Sequence, residues 1–513
     1  MILLLAGIAG LANISFAGPA SPFLTLGGGL HASSFSSIPN AFAGDPGARG
    51  PLAPGAGMPV NPFQDVDYVP SDGSKHLARG LTELAILEFI PWALARWIRD
   101  FPTPEDNWAK VDPDTWWRNI SKGYEYDTDN FVANHVGHPY HGALFFNAGR
   151  VNGYDFYESA AFSLGGSVVW EFFGETYRPS FNDWIYTGLG GANLGEILYR
   201  LSTMITDNTA TGGRRVWQEI GGAIVNPVRG FNRLITGETA RNFPNPEWRT
   251  PSKFRVTMDA GARALDKNGD MEFPDKEIDA TFVLGIAYGD EFRVKEPFSE
   301  FTLRVALATG DQHLAGINSS GFLFGTELEH DRHRLDVNLE FDYNNLNLDV
   351  PQPGDSVVFK GIVYGSVTFN PRLLSRFELS KEMDLVTDAG VALAPIASTP
   401  DDYYMDSTSG GGRNYDFGQG VGPKVGAGIR SGGWEYVSLR YQGLWIFTQS
   451  EPADSRHHIH FLLLAAQLPL NDYFTIGVEI GRYWRESVYD TYDDVNRVHS
   501  LGRLFFRTAI VNL

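Results

Sequence analysis

The chain of 513 residues contains no cysteine. Disulfides and thiolate metal sites are therefore excluded, a composition that suits an exported protein folding without oxidation. Positive charge is also scarce: 41 Lys and Arg stand against 61 Asp and Glu, a formal net charge of −20. General nucleic-acid binding is excluded with it, because that needs a basic surface to displace counterions from phosphates. A long apolar helix is missing from the N-terminus. The opening "MILLLAGIAGLANISFAG" is too short and too glycine-rich an apolar run to span a bilayer comfortably. It ends in small residues, and Ser15-Phe16-Ala17 fits a small-x-small cleavage site. Residues 1–17 therefore read as a signal peptide, although the usual positive n-region is absent.

What is present divides by periodicity, and the length calls for at least two structural units. Residues 18–75, as in "GDPGARGPLAPGAGMPVNPF", have too little periodic apolar content for a core and read as a disordered lead-in. Residues 76–250 read as helical. "LARGLTELAILEFIPWALARWIRD" places Leu77, Leu81, Leu84, Leu87 and Ile90 near a 3.6 period, with a kink expected at Pro91. Asp112 is placed to cap "PDTWWRNI". "FYESAAFSLGGSVVWEFFGE" and "SFNDWIYTGLGGANLGEILYRLSTMI" are dense in small residues, which predicts a close antiparallel pair. Between them "YRPSFND" offers a proline break and Ser180 as N-cap, and Asn226-Pro227 marks a later break.

From residue 251 to 513 the period changes to two. In "KFRVTMDAGARAL", Phe254, Val256, Met258 and Ala260 fall opposite Arg255, Thr257 and Asp259. "RLDVNLEFDY" sets Leu335, Val337, Leu339, Phe341 and Tyr343 against Arg334, Asp336, Asn338, Glu340 and Asp342. About twelve such stretches follow one another, separated by Asp/Gly/Asn/Pro-rich turns, as a β-meander requires. A soluble sandwich or lipocalin-like barrel would have shorter strands, and an opposite face less uniformly charged. Aromatics gather toward strand ends, as in "YGDEF", "FDYNN" and "RYW", like an interfacial girdle. The fold class expected is α+β: a helical N-terminal domain, then an antiparallel transmembrane β-barrel of about twelve strands. The last stretch, "GRLFFRTAIVNL", fits less well, because Arg507 interrupts either assignment of its faces.

The middle of the chain also resembles a known family. "WWRNISKGYEYDTDNFVANHVGHPYHGALFFNAGRVNGYDFYESAAFSLGGSVVWEFFGE", with "SFNDWIYTGLGG" and "NPVRGFNRL", is similar to the bacterial domain-of-unknown-function family 3943 over 116–237. The resemblance rests on Asn134, His138-Pro139, Gly142, Trp170-Glu171, Ser180, Asp183, Gly190-Gly191 and Asn226-Pro227 taken together. It implies a bacterial envelope protein whose helical domain precedes a barrel, and it implies no activity.

His135, His138 and His141 stand three apart, so a helix would carry all three on one side, but Pro139 predicts a helix start near His138. Glu171 and Glu175 share a face at i, i+4 spacing. His138, His141, Glu171, Glu175 and Asp183 are thus candidates for acid/base chemistry, and His135, His138, His141, Glu171 and Glu175 for a metal. The structural reading is favoured, in which these groups satisfy one another inside close-packed helices. No HExxH and no Gly-x-Ser-x-Gly occurs in the region. "DKNGDMEFPDKE" matches a calcium loop at Asp266, Asn268, Asp270 and Glu277 but has Met271 where the loop glycine belongs, so a hairpin turn is favoured. "HDRHR" (330–334) and "RHHIH" (456–460) suit loop tips facing lipopolysaccharide phosphates, or ordinary lumen and turn positions. The sequence thus predicts a cell outer-membrane protein with a periplasmic or lumen-plugging helical domain and a structural or transport-related role. No cofactor and no nucleic acid are expected; the partners expected are outer-membrane lipid and lipopolysaccharide, with no protein partner named. The alternative is an outer-membrane enzyme acting on lipid or lipopolysaccharide through the His/Glu cluster.

Overall fold

A computed structural model describes residues 74–101, 107–266, 276–310, 313–349, 360–403, 413–451 and 455–512. The signal peptide and nearly all of the expected lead-in lie outside the described residues.

Twelve antiparallel strands close into a barrel, each paired with its chain neighbours and β1 with β12. They are β1 Phe254–Asp266, β2 Lys276–Tyr288, β3 Phe301–Ala308, β4 Leu314–Glu329, β5 His333–Asp349 and β6 Lys360–Glu378. The second half is β7 Asp384–Pro400, β8 Tyr415–Ser431, β9 Trp434–Thr448, β10 Ser455–Pro469, β11 Phe474–Tyr489 and β12 Val495–Asn512. Contacts between distant strands show which face is the lumen. Arg304 on β3 lies 3.9 Å from Glu479 on β11, and Lys424 on β8 lies 2.6 Å from Glu340 on β5. Gln442 on β9 donates to the Tyr364 hydroxyl on β6 at 3.0 Å. Side chains can bridge non-adjacent strands only across the concave side, so the charged face points inward. The alternate residues, among them Leu335, Leu373, Leu439, Ile480 and Leu504, are exposed on the convex face. Arg507 obeys the same rule: Arg503, Phe505 and Arg507 point inward, and both arginines donate to Asp259. Leu504 and Phe506 face out.

Turns at the end that carries both barrel termini are mostly short, as at Glu329–His333, Ser431–Trp434 and Pro469–Phe474. Longer connections at the other end join Asp349 to Lys360 and Pro400 to Tyr415. The two basic clusters lie at opposite ends, one at the β4–β5 turn and one at the start of β10. Arg334 and His457 are buried in the lumen rather than displayed. Of the calcium-loop residues, Asn268 and Asp270 fall outside the described residues. Asp266 closes β1, and Glu277 pairs with Leu265, so the loop joins adjacent strands.

The helices before the barrel are α1 Leu77–Trp97, α2 Pro113–Lys122, α3 His138–Arg150, α4 Phe156–Val169, α5 Phe181–Ile185, α6 Gly191–Ile205, α7 Gly212–Val225 and α8 Pro227–Ile235. Asp112 caps α2 in a reciprocal box with Thr115, and Asn226 caps α8 ahead of Pro227. Ser180 occupies the N-cap of α5 but makes no side-chain cap; its backbone N–H donates to Glu171 instead. The two small-residue segments meet directly, as expected, with Leu164 of α4 packed on Gly188, and α3 packs against both. Gly142 of α3 meets Gly191 at the start of α6 backbone to backbone, and Ser163 of α4 donates to the carbonyls of both Gly142 and Thr187. The α-helical turns of α3 begin at His138 with Pro139 in the first turn, as the sequence predicts. Helical backbone runs from Phe131 to Arg150, and the π-turn Ala133–Gly137 makes room for the proline ring. The leucine stripe of α1 also departs from expectation: Leu77 and Leu81 are about half exposed, while Gly80, Glu83 and Ala95 are buried.

The helical region does not plug the lumen. It lies against the convex wall, along a row of registered residues that runs through Val256, Ile286, Leu303, Ser319, Phe341, Val367 and Ile396 on seven successive strands. All seven are buried. Asn193 of α6 donates to the Leu339 carbonyl and accepts from Ser319, which fixes the seam at its middle.

Candidate functional site

Three π-turns shape the polar centre of the helical region: Ala133–Gly137, Trp170–Gly174 and Tyr186–Gly190. Such wide turns often occur at functional sites because they re-aim side chains from a helix. Here they bring His138, Glu171 and Thr187 near Asp183. His138 Nε2 lies 3.4 Å from Asp183 Oδ1, and its Nδ1 lies 3.3 Å from the Thr187 hydroxyl. Asp183 also accepts from Asn182 at 2.8 Å. Asp127 accepts from both Asn182 and Asn134, at 2.8 and 2.9 Å, and Glu171 accepts the Ser180 N–H at 2.7 Å.

Burial governs the protonation of this cluster. It lifts Glu171 and Asp183 well above the ordinary carboxylate range, aided by the charges of Glu175 and Asp127 respectively. Glu175 is raised by burial and then by Asp129. His138 is pushed down to about 3 by burial, with His141 adding to the effect. Burial thus favours the neutral forms of these carboxyl groups and of the imidazole over an ion pair.

The other two histidines diverge from this centre. His135 is fully buried at the seam, where it contacts the Phe131 carbonyl through Nδ1, the Ser398 hydroxyl of β7 through Nε2, and the Phe131 ring. Gly365 of β6 leaves the space its ring occupies. His141 lies between Phe145 and Trp170. Of the candidates, His138, Glu171, Glu175 and Asp183 come together; His135 and His141 do not join them. No three His, Asp or Glu groups among the described residues are arranged to hold a metal ion.

Thr187, Asp127 and Asn134 complete the centre, and only Asn134 stood out in the sequence. Thr187 lies 49 residues from His138, and no spacing rule links them. A second polar feature was equally hidden. Arg150 and Arg200 both donate to Glu196 at 2.8 Å, and Arg200 continues to Glu296 at 3.1 Å. The Glu196–Arg200 spacing of four was the available signal. An apolar cleft of about 880 Å³, mouth included, separates Leu194, Leu198 and Ile224 from Ile286, Val305 and Phe341 of the barrel wall. His138, Asp183, Glu171 and Glu175 do not line it.

Residues 123–228 match the DUF3943 family model, a domain of unknown function. The match contains the whole cluster. No curated protein matches the chain. Among solved structures, the NanC porin is 9% identical with a TM-score of 0.26, over 50% of this chain and 100% of that one. The KdgM porin is 9% identical with a TM-score of 0.23, over 50% and 99%. An outer membrane channel from Pseudomonas putida F1 is 9% identical with a TM-score of 0.27, over 50% and 96%.

Proposed function

We propose that this chain is a bacterial outer-membrane β-barrel protein with a structural or transport-related role, its DUF3943 region carried on the outside of the barrel. The observation that carries the reading is the division of the barrel faces. Charged pairs such as Arg503–Asp259 and Arg372–Asp336 fill the inward face, and apolar side chains are exposed outward. Water favours the reverse of that outward face, whereas hydrocarbon favours it, and a closed barrel leaves no backbone edge unpaired. Short turns beside the termini and long loops opposite fit an assembly with its termini toward the periplasm. The expected contacts are bilayer lipid and lipopolysaccharide.

Extraction and gel mobility test this. The protein should leave membranes only with detergent and should migrate differently before and after heating. Recovery as a soluble monomer in buffer alone would overturn the reading. Conductance in planar bilayers then separates transport from a structural role, because the bridged lumen predicts small, ion-sized currents at most.

The order Thr187–His138–Asp183 supports a second reading, an enzyme acting on lipid, since it is the order of nucleophile, base and orienting acid. The separations of 3.3 and 3.4 Å exceed the usual hydrogen-bond reach of about 2.6–3.2 Å, and Thr187 is buried. Lipid turnover by purified protein that is lost in Thr187→Val would establish this reading over the first.

A further inference from the structure

We infer that the helical region is itself immersed in the bilayer, its outer surface meeting lipid hydrocarbon beside the barrel. This rests on the outer-membrane reading, and three observations carry it.

The first is position. At one extremity the helical region touches the barrel end that carries the termini, where Tyr288 donates to the Trp248 carbonyl at 3.0 Å. At the other extremity it reaches the long-loop end. There Tyr415 donates to the Asp129 carbonyl at 2.9 Å and Tyr126 to Gln449 at 2.7 Å. The seam thus climbs the convex wall from one end to the other. A bilayer that surrounds the barrel must meet whatever occupies that wall.

The second is inverted polarity. On α7 beyond Arg214, the exposed side chains are Val216, Trp217, Ile220 and Ile224, while Arg215 and Gln218 are buried. On α8, Phe231, Leu234 and Ile235 are exposed, while Arg229, Asn232 and Arg233 are buried. From Leu77 to Trp97 of α1, Thr82 is the only exposed polar side chain, and its hydroxyl is satisfied by the Ala78 carbonyl. Polar groups pair inside instead, as in Arg233 with Glu219 at 2.7 Å and Asn232 with Glu83 at 2.8 Å. Ionisable groups turned into the bundle and apolar groups turned out are what hydrocarbon selects. Water would oppose so large a contiguous apolar surface.

The third is packing. Gly142 against Gly191, and Gly222 against Thr206 and Ser202, bring helices together through small residues, the means of association that works without a hydrophobic drive. No described helix is long and apolar enough to cross a membrane. The region is therefore held at depth by the barrel wall rather than by a spanning helix of its own.

The absence of cysteine makes the test direct. Nitroxide labels would be placed at Trp217→Cys, Ile220→Cys and Leu234→Cys, with Ile480→Cys on the barrel wall and Lys381→Cys in the β6–β7 turn as references. The full chain would be reconstituted in phospholipid vesicles, and heat-modifiable mobility would confirm folding of each variant. Oxygen, which concentrates in hydrocarbon, should broaden the three helical labels several-fold more than a water-soluble nickel chelate does, as at Ile480. Lys381 should show the reverse. If the helical labels follow Lys381 while Ile480 stays lipid-exposed, the inference is overturned and the outer-membrane reading stands. If Ile480 also follows Lys381, the outer-membrane reading itself falls. Low accessibility to both reagents with dipolar broadening would mean that a second copy covers the surface, which also overturns the inference.

Discussion

Replacing Gly142 with alanine should open the helical region and leave the barrel closed. A Cβ at this position would stand 2.6 Å from the Thr187 carbonyl carbon and 3.0 Å from Gly191 Cα, with the Thr187 oxygen closer still. All three are backbone atoms, so no side chain can rotate away. The helices must part, which stretches the Ser163 hydroxyl contacts to Gly142 O at 2.9 Å and Thr187 O at 2.7 Å. Overpacking of this kind costs about 1–3 kcal/mol, and a weakened hydrogen bond about 0.5–1.5 kcal/mol more. Alanine returns up to about 1 kcal/mol of helix propensity. The net effect is a loss of about 0.5–4.5 kcal/mol. Gly165→Ala on α4 makes the same chemical change where a Cβ would meet nothing within 4 Å. It should be neutral, or stabilising by up to about 1 kcal/mol. Limited proteolysis in detergent reads the helical region, and unheated gel mobility reads the barrel. Equal protease resistance in the two variants would refute the packing argument.

Four further outcomes are expected. Glu171 keeps its proton in the folded protein at pH values where the unfolded chain has lost it. Stability of the helical region should therefore fall as pH rises from the ordinary carboxylate range toward alkaline values. Glu171→Gln should flatten that dependence in proteolysis at pH 5 and 9, and an unchanged slope would count against a protonated centre. Val337→Arg should block assembly, because an arginine facing lipid costs about 2–4 kcal/mol near mid-bilayer. Asp336→Asn, which alternation alone would let pass, should also destabilise the barrel. Asp336 is buried between Arg334 and Arg372, and breaking a buried pair costs about 3–5 kcal/mol; normal assembly of Asp336→Asn would sink this reading. His138→Ala should increase protease sensitivity without changing elemental content, whereas stoichiometric zinc or iron lost on mutation with resistance intact would favour a metal site.

Much of the architecture was legible because period-two alternation is a local property. A strand with Asp336, Asn338 and Glu340 on one face and Leu335 and Val337 on the other has few stable settings, and twelve such strands in sequence close on themselves. The cap at Asp112 and the break at Asn226-Pro227 were legible for the same reason, since each depends on residues within one turn. Among the site residues, His138, Glu171, Glu175 and Asp183 stood out as buried polar types among small ones. Thr187 did not, because its link to His138 is made by the crossing of α3 over the Tyr186–Gly190 turn.

The sequence alone determined that α1 carries an apolar stripe, but a stripe has no sign. A 3.6-residue period looks the same whether the stripe faces a core or a surrounding hydrocarbon phase. Only the packing showed that Leu77, Trp217 and Leu234 point away while Glu83, Arg215 and Arg233 point in. Likewise, Phe341 and Leu335 lie on the same face of β5 and read alike, yet Phe341 is buried under the helices and Leu335 is bare. Local pattern fixes which residues share a face. What covers that face depends on contacts such as Asn193 with Leu339, 146 residues apart, which exist only after the chain has folded.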